Sequence, residues 1–162
     1  MSDSPRRVVL VVEDSPADQE ILRRAFLSVD NGCDLRMVFD GETALCYLQQ
    51  TESYAPPASA PQPDLILLDL NLPNLTGREV LQRVRANPRI RQIPVIILTT
   101  TQAQHEILEC YRLGANCFIT KPSDFQDFVE LIRTTCSYWF HFAKLPAHST
   151  PGPAPAPCRP QP

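Results

Sequence analysis

The sequence predicts an α/β fold built on a mostly parallel sheet, and three observations carry that prediction. Five short apolar runs, rich in β-branched residues, alternate with five stretches whose apolar residues recur at helical spacing. The runs are too short for helices, and the central ones are apolar without interruption, as strands covered on both faces are. Alternation at this spacing builds βαβ units with right-handed crossovers and helices on both faces. The expected architecture is a flavodoxin-like (βα)5 doubly wound sheet in strand order 2-1-3-4-5, with its ligand site at the carboxyl edge of strands 1 and 3.

Each element has a local reason. Arg7 to Val12 is the first strand, ending at Glu13-Asp14. Ser15-Pro16-Ala17-Asp18 supplies a capping serine, a proline at the first helical position and an acid in the first turn. The helix that follows runs to Ser28 and turns Ile21, Leu22, Ala25, Phe26 and Val29 toward a core. Asp30-Asn31-Gly32 is a turn, Asp34 to Phe39 a second strand, and Asp40-Gly41-Glu42 opens a helix to Gln50.

The third strand is Leu65 to Leu68, ending in Asp69 and stopped by Asn71-Leu72-Pro73. Gly77 marks a turn into a helix over Arg78 to Ala86, with Val80, Leu81 and Val84 inward and Asn87-Pro88 closing it. Ile93 to Leu98 is the fourth strand, ending at Thr99. Thr101 with Gln104 offers a capping box for a helix to Leu113, stopped by Gly114. Cys117 to Thr120 is the fifth strand, ending at Lys121-Pro122, and Ser123 with Gln126 offers a second box for a helix to Phe142. In that helix Phe125, Phe128, Val129, Ile132, Cys136 and Trp139 form a stripe toward the sheet. Leu131, Tyr138 and Phe142 make a second apolar side. With Tyr111, that side predicts a symmetric homodimer through helix 4, strand 5 and helix 5.

The 162 residues therefore predict one domain over residues 7–143, between a disordered start (1–6) and a disordered tail (144–162). The 17 prolines concentrate in that tail and in a loop at 55–63, both too poor in large apolar residues to fold. With 20% charged residues and a net charge of -3, the chain advertises no polyanion surface, which argues against nucleic acid as a partner. Val8 to Val12 is far too short for a membrane span or a leader segment, so a cytoplasmic protein without membrane attachment is expected. The six cysteines include no CxxC pair and read as small buried hydrophobes. His105, His141 and His148 read as solvated surface.

The chemistry lies at the strand ends. Strand 1 delivers Glu13 and Asp14, strand 3 Asp69, strand 4 Thr99 and strand 5 Lys121. Three carboxylates in one cleft repel by several kcal/mol at an effective dielectric constant of about 20. A hard divalent cation with oxygen ligands, Mg²⁺ or Mn²⁺, relieves that repulsion. A carboxylate nucleophile, a metal, a lysine and a hydroxyl are the parts of an acyl-phosphate site.

On Val11-Val12-Glu13-Asp14, Leu67 to Pro73 with Gly77, Val95 to Thr99 and Lys121-Pro122, the chain resembles the receiver domain of two-component response regulators over residues 7–140. The spacing of Asp69, Thr99 and Lys121 matches the family pattern. Val12 to Asp18, Leu98-Thr99-Thr100 and Asn116 to Pro122 resemble, more narrowly, the single-domain regulators of phytochrome histidine kinases.

The resemblance implies that Asp69 is the phosphoacceptor for a sensor histidine kinase and that the protein is a switch, not a turnover enzyme. It implies metal ligation by Asp14, Asp69 and the Asn71 carbonyl, with Glu13 acting through water. Lys121 pairs with the phosphoryl group, and Thr99 and Phe118 form the switch. Thr100 stands where the family usually has a smaller residue, and slower loss of phosphate is expected from it. A Mg²⁺-dependent aspartyl phosphatase is the alternative enzyme reading, but Asn71 stands where that chemistry needs an acid. A phosphate-independent scaffold is a third reading, against which the intact acid and lysine set argues.

Overall fold

The computed structural model describes residues 6–29, 32–55 and 60–148. Asp30-Asn31, the centre of the Pro-rich loop and the tail beyond His148 lie outside the described residues. Ten elements alternate: β1 (Val8–Val12), α1 (Pro16–Ser28), β2 (Asp34–Val38), α2 (Gly41–Gln49), β3 (Leu65–Leu68), α3 (Gly77–Ala86), β4 (Val95–Thr99), α4 (Gln104–Arg112), β5 (Cys117–Thr120) and α5 (Phe125–Ser137). A π-helical turn over Tyr138–Phe142 continues α5. The sheet is parallel throughout, in the order β2-β1-β3-β4-β5, as the alternation predicts.

Strand periodicity divides the core in two. Leu10, Val12, Ile66, Leu68, Val95 and Ile97 face α2 and α3 on one side, while Val9, Val11, Leu65, Leu67, Ile96 and Leu98 face α1 and α5 on the other. Every residue of β1, β3 and β4 is buried, so these central strands must be apolar on both faces. Their register then fixes the site. Val12 pairs with Leu68, so Glu13 and Asp69 leave adjacent strands side by side, and Thr99 pairs with Thr120, the residue before Lys121.

Helix ends depart from the expected caps in instructive ways. Ser15 caps α1 as expected, its hydroxyl accepting from the Asp18 N–H. Thr101 forms no capping box. Its hydroxyl accepts from the Ala103 N–H, and α4 begins after Ala103 without a side-chain cap. Ser123 is displaced by Asp124, whose carboxylate accepts from the Gln126 and Asp127 N–H groups, because α5 starts later than the serine requires. A capping box that the sequence reading did not contain joins Thr76 and Glu79 at α3.

Gly77 is not a turn glycine but the first residue of α3. A Cβ there would lie 2.1 Å from the Asp69 carbonyl oxygen, so the helix can seat against the end of β3 only without a side chain. Gly114 does stop α4, at a φ of +98°.

Phe125 is 38% exposed instead of facing the sheet, and Leu131, expected on the outer side, is half-buried against the sheet cluster. Ile21 is 37% exposed instead of facing the core. Cys110 and Cys136 are buried and Cys33, Cys46 and Cys117 half-buried, while Cys158 lies outside the described residues. The Cys33 thiol hydrogen-bonds that of Cys136, which lowers its pKa against the opposing effect of burial.

Leu145, Pro146, Ala147 and His148 lie against Pro63, Asp64, Ile93 and Pro94 beneath the sheet. His148 is not simply solvated: its Nε2 lies 3.3 Å from the Asp64 carboxylate.

Candidate functional site

The carboxyl ends of β1, β3, β4 and β5 converge on one ammonium. Lys121 Nζ donates to Glu13 (2.5 Å), Asp18 (2.7 Å) and Asp69 (2.7 Å), and its side chain is only 6% exposed. The backbone fixes where that lysine starts, through its N–H to the Thr99 carbonyl at 2.7 Å.

Glu13 is held from several directions. Its N–H donates to the Val38 carbonyl, its Oε1 accepts the Ser15 N–H at 3.0 Å, and the buried Gln19 amide donates to its carbonyl at 2.7 Å. Asp69 donates its N–H to the Val12 carbonyl and accepts the Asn71 N–H on Oδ1 at 3.1 Å, which leaves Oδ2 for the lysine.

Asp18 is the residue sequence reasoning missed. Its acid reads along the chain as a first-turn carboxylate favouring the helix dipole. The fold gives it a second use, because α1 starts soon after the end of β1 and carries Asp18 to the lysine that follows β5. Its signal in the sequence was an acid four residues after Asp14, at the mouth of the same strand end.

Carboxylate oxygens of Glu13, Asp14 and Asp69 all lie within 4.8 Å of one another, with Asp14 exposed and the other two buried. Three carboxylates, those of Glu13, Asp18 and Asp69, thus share one ammonium, with the Asp14 carboxylate beside them. Burial pushes the Glu13 carboxyl up to about 7, against the hydrogen bonds from Lys121 and Ser15. For Lys121 burial acts to lower the pKa, but hydrogen bonds to Asp18, Asp69 and Glu13 outweigh it and raise the pKa, so the ammonium stays charged. The donor set is all oxygen and carries excess negative charge, which fits a hard divalent cation.

Thr99 is fully buried, and its Oγ1 has no hydrogen-bond partner among the described residues. Thr100, the next residue, is exposed. Phe118 is half-buried against the core, its N–H donating to the Tyr111 hydroxyl at 3.2 Å. Asn71 is exposed just beyond Asp69. Of the expected site residues, Glu13, Asp14, Asp69 and Lys121 are therefore brought together directly. Thr99 and Asn71 flank them, and Phe118 pairs with Ile97, two strand positions before Thr99.

Known proteins share this fold. Residues 9–133 match the model of the response regulator receiver domain. Response regulator Rcp1 of Synechocystis is 38% identical over 149 residues, covering 91% of this chain and 99% of its own. The crystal structure of the phosphorylated cyanobacterial phytochrome response regulator RcpA superimposes with a TM-score of 0.81 at 35% identity, over 88% of this chain and 99% of that one. The Mn²⁺-bound form of Rcp1 gives 0.78 at 37% identity, over 87% and 99%. The chain belongs to the response regulator receiver domain family, the phosphoacceptors of two-component signalling.

Proposed function

We propose that Asp69 takes a phosphoryl group from the phosphohistidine of a sensor histidine kinase of the phytochrome type. The observation that carries this reading is the convergence of Glu13, Asp18 and Asp69 on one lysine, with Asp14 beside them and a buried threonine hydroxyl that has no partner among the described residues. An Asp69 carboxylate oxygen attacks phosphorus, the P–N bond to the kinase histidine breaks, and the imidazole keeps the electron pair and takes up a proton. Asp14, Asp69 and the Asn71 carbonyl are the residues to hold Mg²⁺ or Mn²⁺, with Glu13 reaching it through water. Such a cation supplies neutralising charge for the phosphoryl oxygens.

Lys121 then exchanges carboxylates for a phosphoryl oxygen, and the Thr99 hydroxyl donates to another. Phe118 follows Thr99 inward and alters the face of α4, β5 and α5, which carries the output. Similarity to phytochrome response regulators supports the kinase class. This reading makes the protein a cytoplasmic switch that catalyses only its own phosphorylation and slow dephosphorylation. No helix among the described residues is long and apolar enough to cross a membrane.

Incubation with Mg²⁺ and acetyl phosphate, followed by intact-mass measurement, tests this. A labile adduct is expected on the wild type, none on Asp69→Asn, and none on the wild type with excess chelator. Steady turnover of added phosphoesters would instead favour the phosphatase reading.

A second copy is the occupant we assign to the α4–β5–α5 face. Leu108, Tyr111, Tyr138 and Phe142 are 48 to 76% exposed there, more apolar surface than scattered solvent-facing residues require. The doubly substituted Tyr138→Asp, Phe142→Asp protein is expected to sediment as a monomer where the wild type sediments as a dimer. Identical masses for the two would remove the dimer.

A further inference from the structure

The opposite end of the sheet holds a cavity of about 670 Å³ that the phosphoacceptor chemistry does not use. It opens where β1 and β3 begin, between the ends of α2 and α3 and the return of the Pro-rich loop. Its size is that of a small-molecule site, typically about 300–1,000 Å³. We propose that it is a second ligand site, taking a small organic anion with an apolar body.

The apolar part of the lining comes from Val8, Leu48, Pro61 and Ile90. The wall is pre-formed. The Tyr47 hydroxyl donates to the Pro61 carbonyl at 2.8 Å and the Gln50 amide to the Ala60 carbonyl at 3.0 Å, so the loop's return is clamped to α2.

Charge selects the ligand's sign. Among the described residues, Arg6, Arg7 and Arg89 line the cavity against a single acid, Asp64. Asp64 is already satisfied, accepting from the Val8 N–H (2.8 Å) and from Arg7 (2.9 Å), with His148 at 3.3 Å. Its side chain is 5% exposed, so it offers nothing to a cation. Arg6 and Arg89 are exposed and make no side-chain hydrogen bond or ion pair among the described residues. Helix ends of this polarity would repel an anion, but their carbonyls are engaged. Cys46 and Tyr47 accept from Thr51 and Gln50, and Val84 accepts from Asn87. The surplus is two guanidinium groups beside an apolar floor.

The probe is 8-anilinonaphthalene-1-sulfonate, an aromatic sulfonate, titrated into the full-length chain while backbone amide NMR shifts are followed. Saturable shifts are expected at Val8, Gln49, Thr51 and Ile90. The double variant Arg6→Glu, Arg89→Glu should bind it at least about tenfold more weakly. The uncharged N-phenyl-1-naphthylamine should likewise bind the wild type at least about tenfold more weakly. Both arginines are exposed, so the variant keeps its fold and its phosphate acceptance at Asp69. Shifts confined to Leu108, Tyr111, Tyr138 and Phe142, equal affinity in the double variant, or equal affinity for the uncharged analogue would each overturn the site.

Discussion

Two aspartates bracket the same strand, and they have opposite fates. Asp64 precedes β3 and Asp69 follows it, and they are 7% and 6% exposed. Burial does not tell them apart. What differs is the charge count around each. Asp64 has a guanidinium, a backbone N–H and a histidine to itself, and it ties the start of β1 to the start of β3. Asp69 shares one ammonium with Glu13 and Asp18, while Asp14 stands close by without a cation of its own. A buried acid with a full complement of partners is a structural rivet. A buried acid in a group with too few cations is poised to bind one, or to be modified.

That contrast can be broken by substitution. Asp64→Ala should lower stability the most, by about 2 kcal/mol, since it strands the buried Val8 N–H and removes a charged hydrogen bond. It should leave adduct formation at Asp69 unaltered. Urea denaturation paired with the acetyl phosphate assay measures both, and a loss of adduct in a folded Asp64→Ala protein would erase the distinction.

Asp69→Asn should act with the opposite sign in metal-free buffer, raising stability by about 1 kcal/mol as one of the crowded like charges is removed. A destabilisation there would mean that Lys121 already balances the cluster.

A third substitution, of similar size, sharpens the amino end. Tyr47→Phe deletes the hydrogen bond to the Pro61 carbonyl and should cost about 1 kcal/mol at neutral pH. Burial pushes the Tyr47 phenol up to about 12 from its ordinary 10. The folded protein therefore holds this proton where the unfolded chain has released it. This residue's contribution is fully present below pH 10 and falls as pH rises from 10 to 12. The gap between wild type and Tyr47→Phe should accordingly narrow over that range in parallel denaturation curves. A gap that stays constant would mean the phenol is not buried in solution.

The sequence made the site's contributors readable because they sit at the ends of strands, where a change from apolar to charged residues marks the boundary. Glu13, Asp14 and Asp69 announce themselves that way, while Thr99 and Lys121 do so by a change from apolar to polar residues. Asp18 does not, because it lies inside a helix. Its meeting with Lys121 depends on where α1 rests over the sheet, a long-range packing result that no local pattern encodes. The same limit explains Phe125 and Leu131. Helical spacing groups residues on a face but does not say which residues the end of the helix lifts away from the sheet. Cap choice at Asp124 over Ser123 turned on a shift of one residue, which competing cap formers leave open. The bottom cavity was hidden for a further reason. One of its walls is the end of a proline-rich connection whose own sequence carries no periodicity to read.

The unpartnered Thr99 hydroxyl has a consequence for how hard the switch is to throw. A buried polar group with no hydrogen-bond partner costs about 1–3 kcal/mol. An arriving oxygen that accepts from that hydroxyl removes the penalty from the occupied arrangement alone. Relief of that size tilts the balance between two conformations by about 5- to 150-fold. On the phosphoacceptor reading proposed above, the resting domain carries part of its own activation free energy in advance, as a Thr99 hydroxyl without a partner among the described residues at the end of β4.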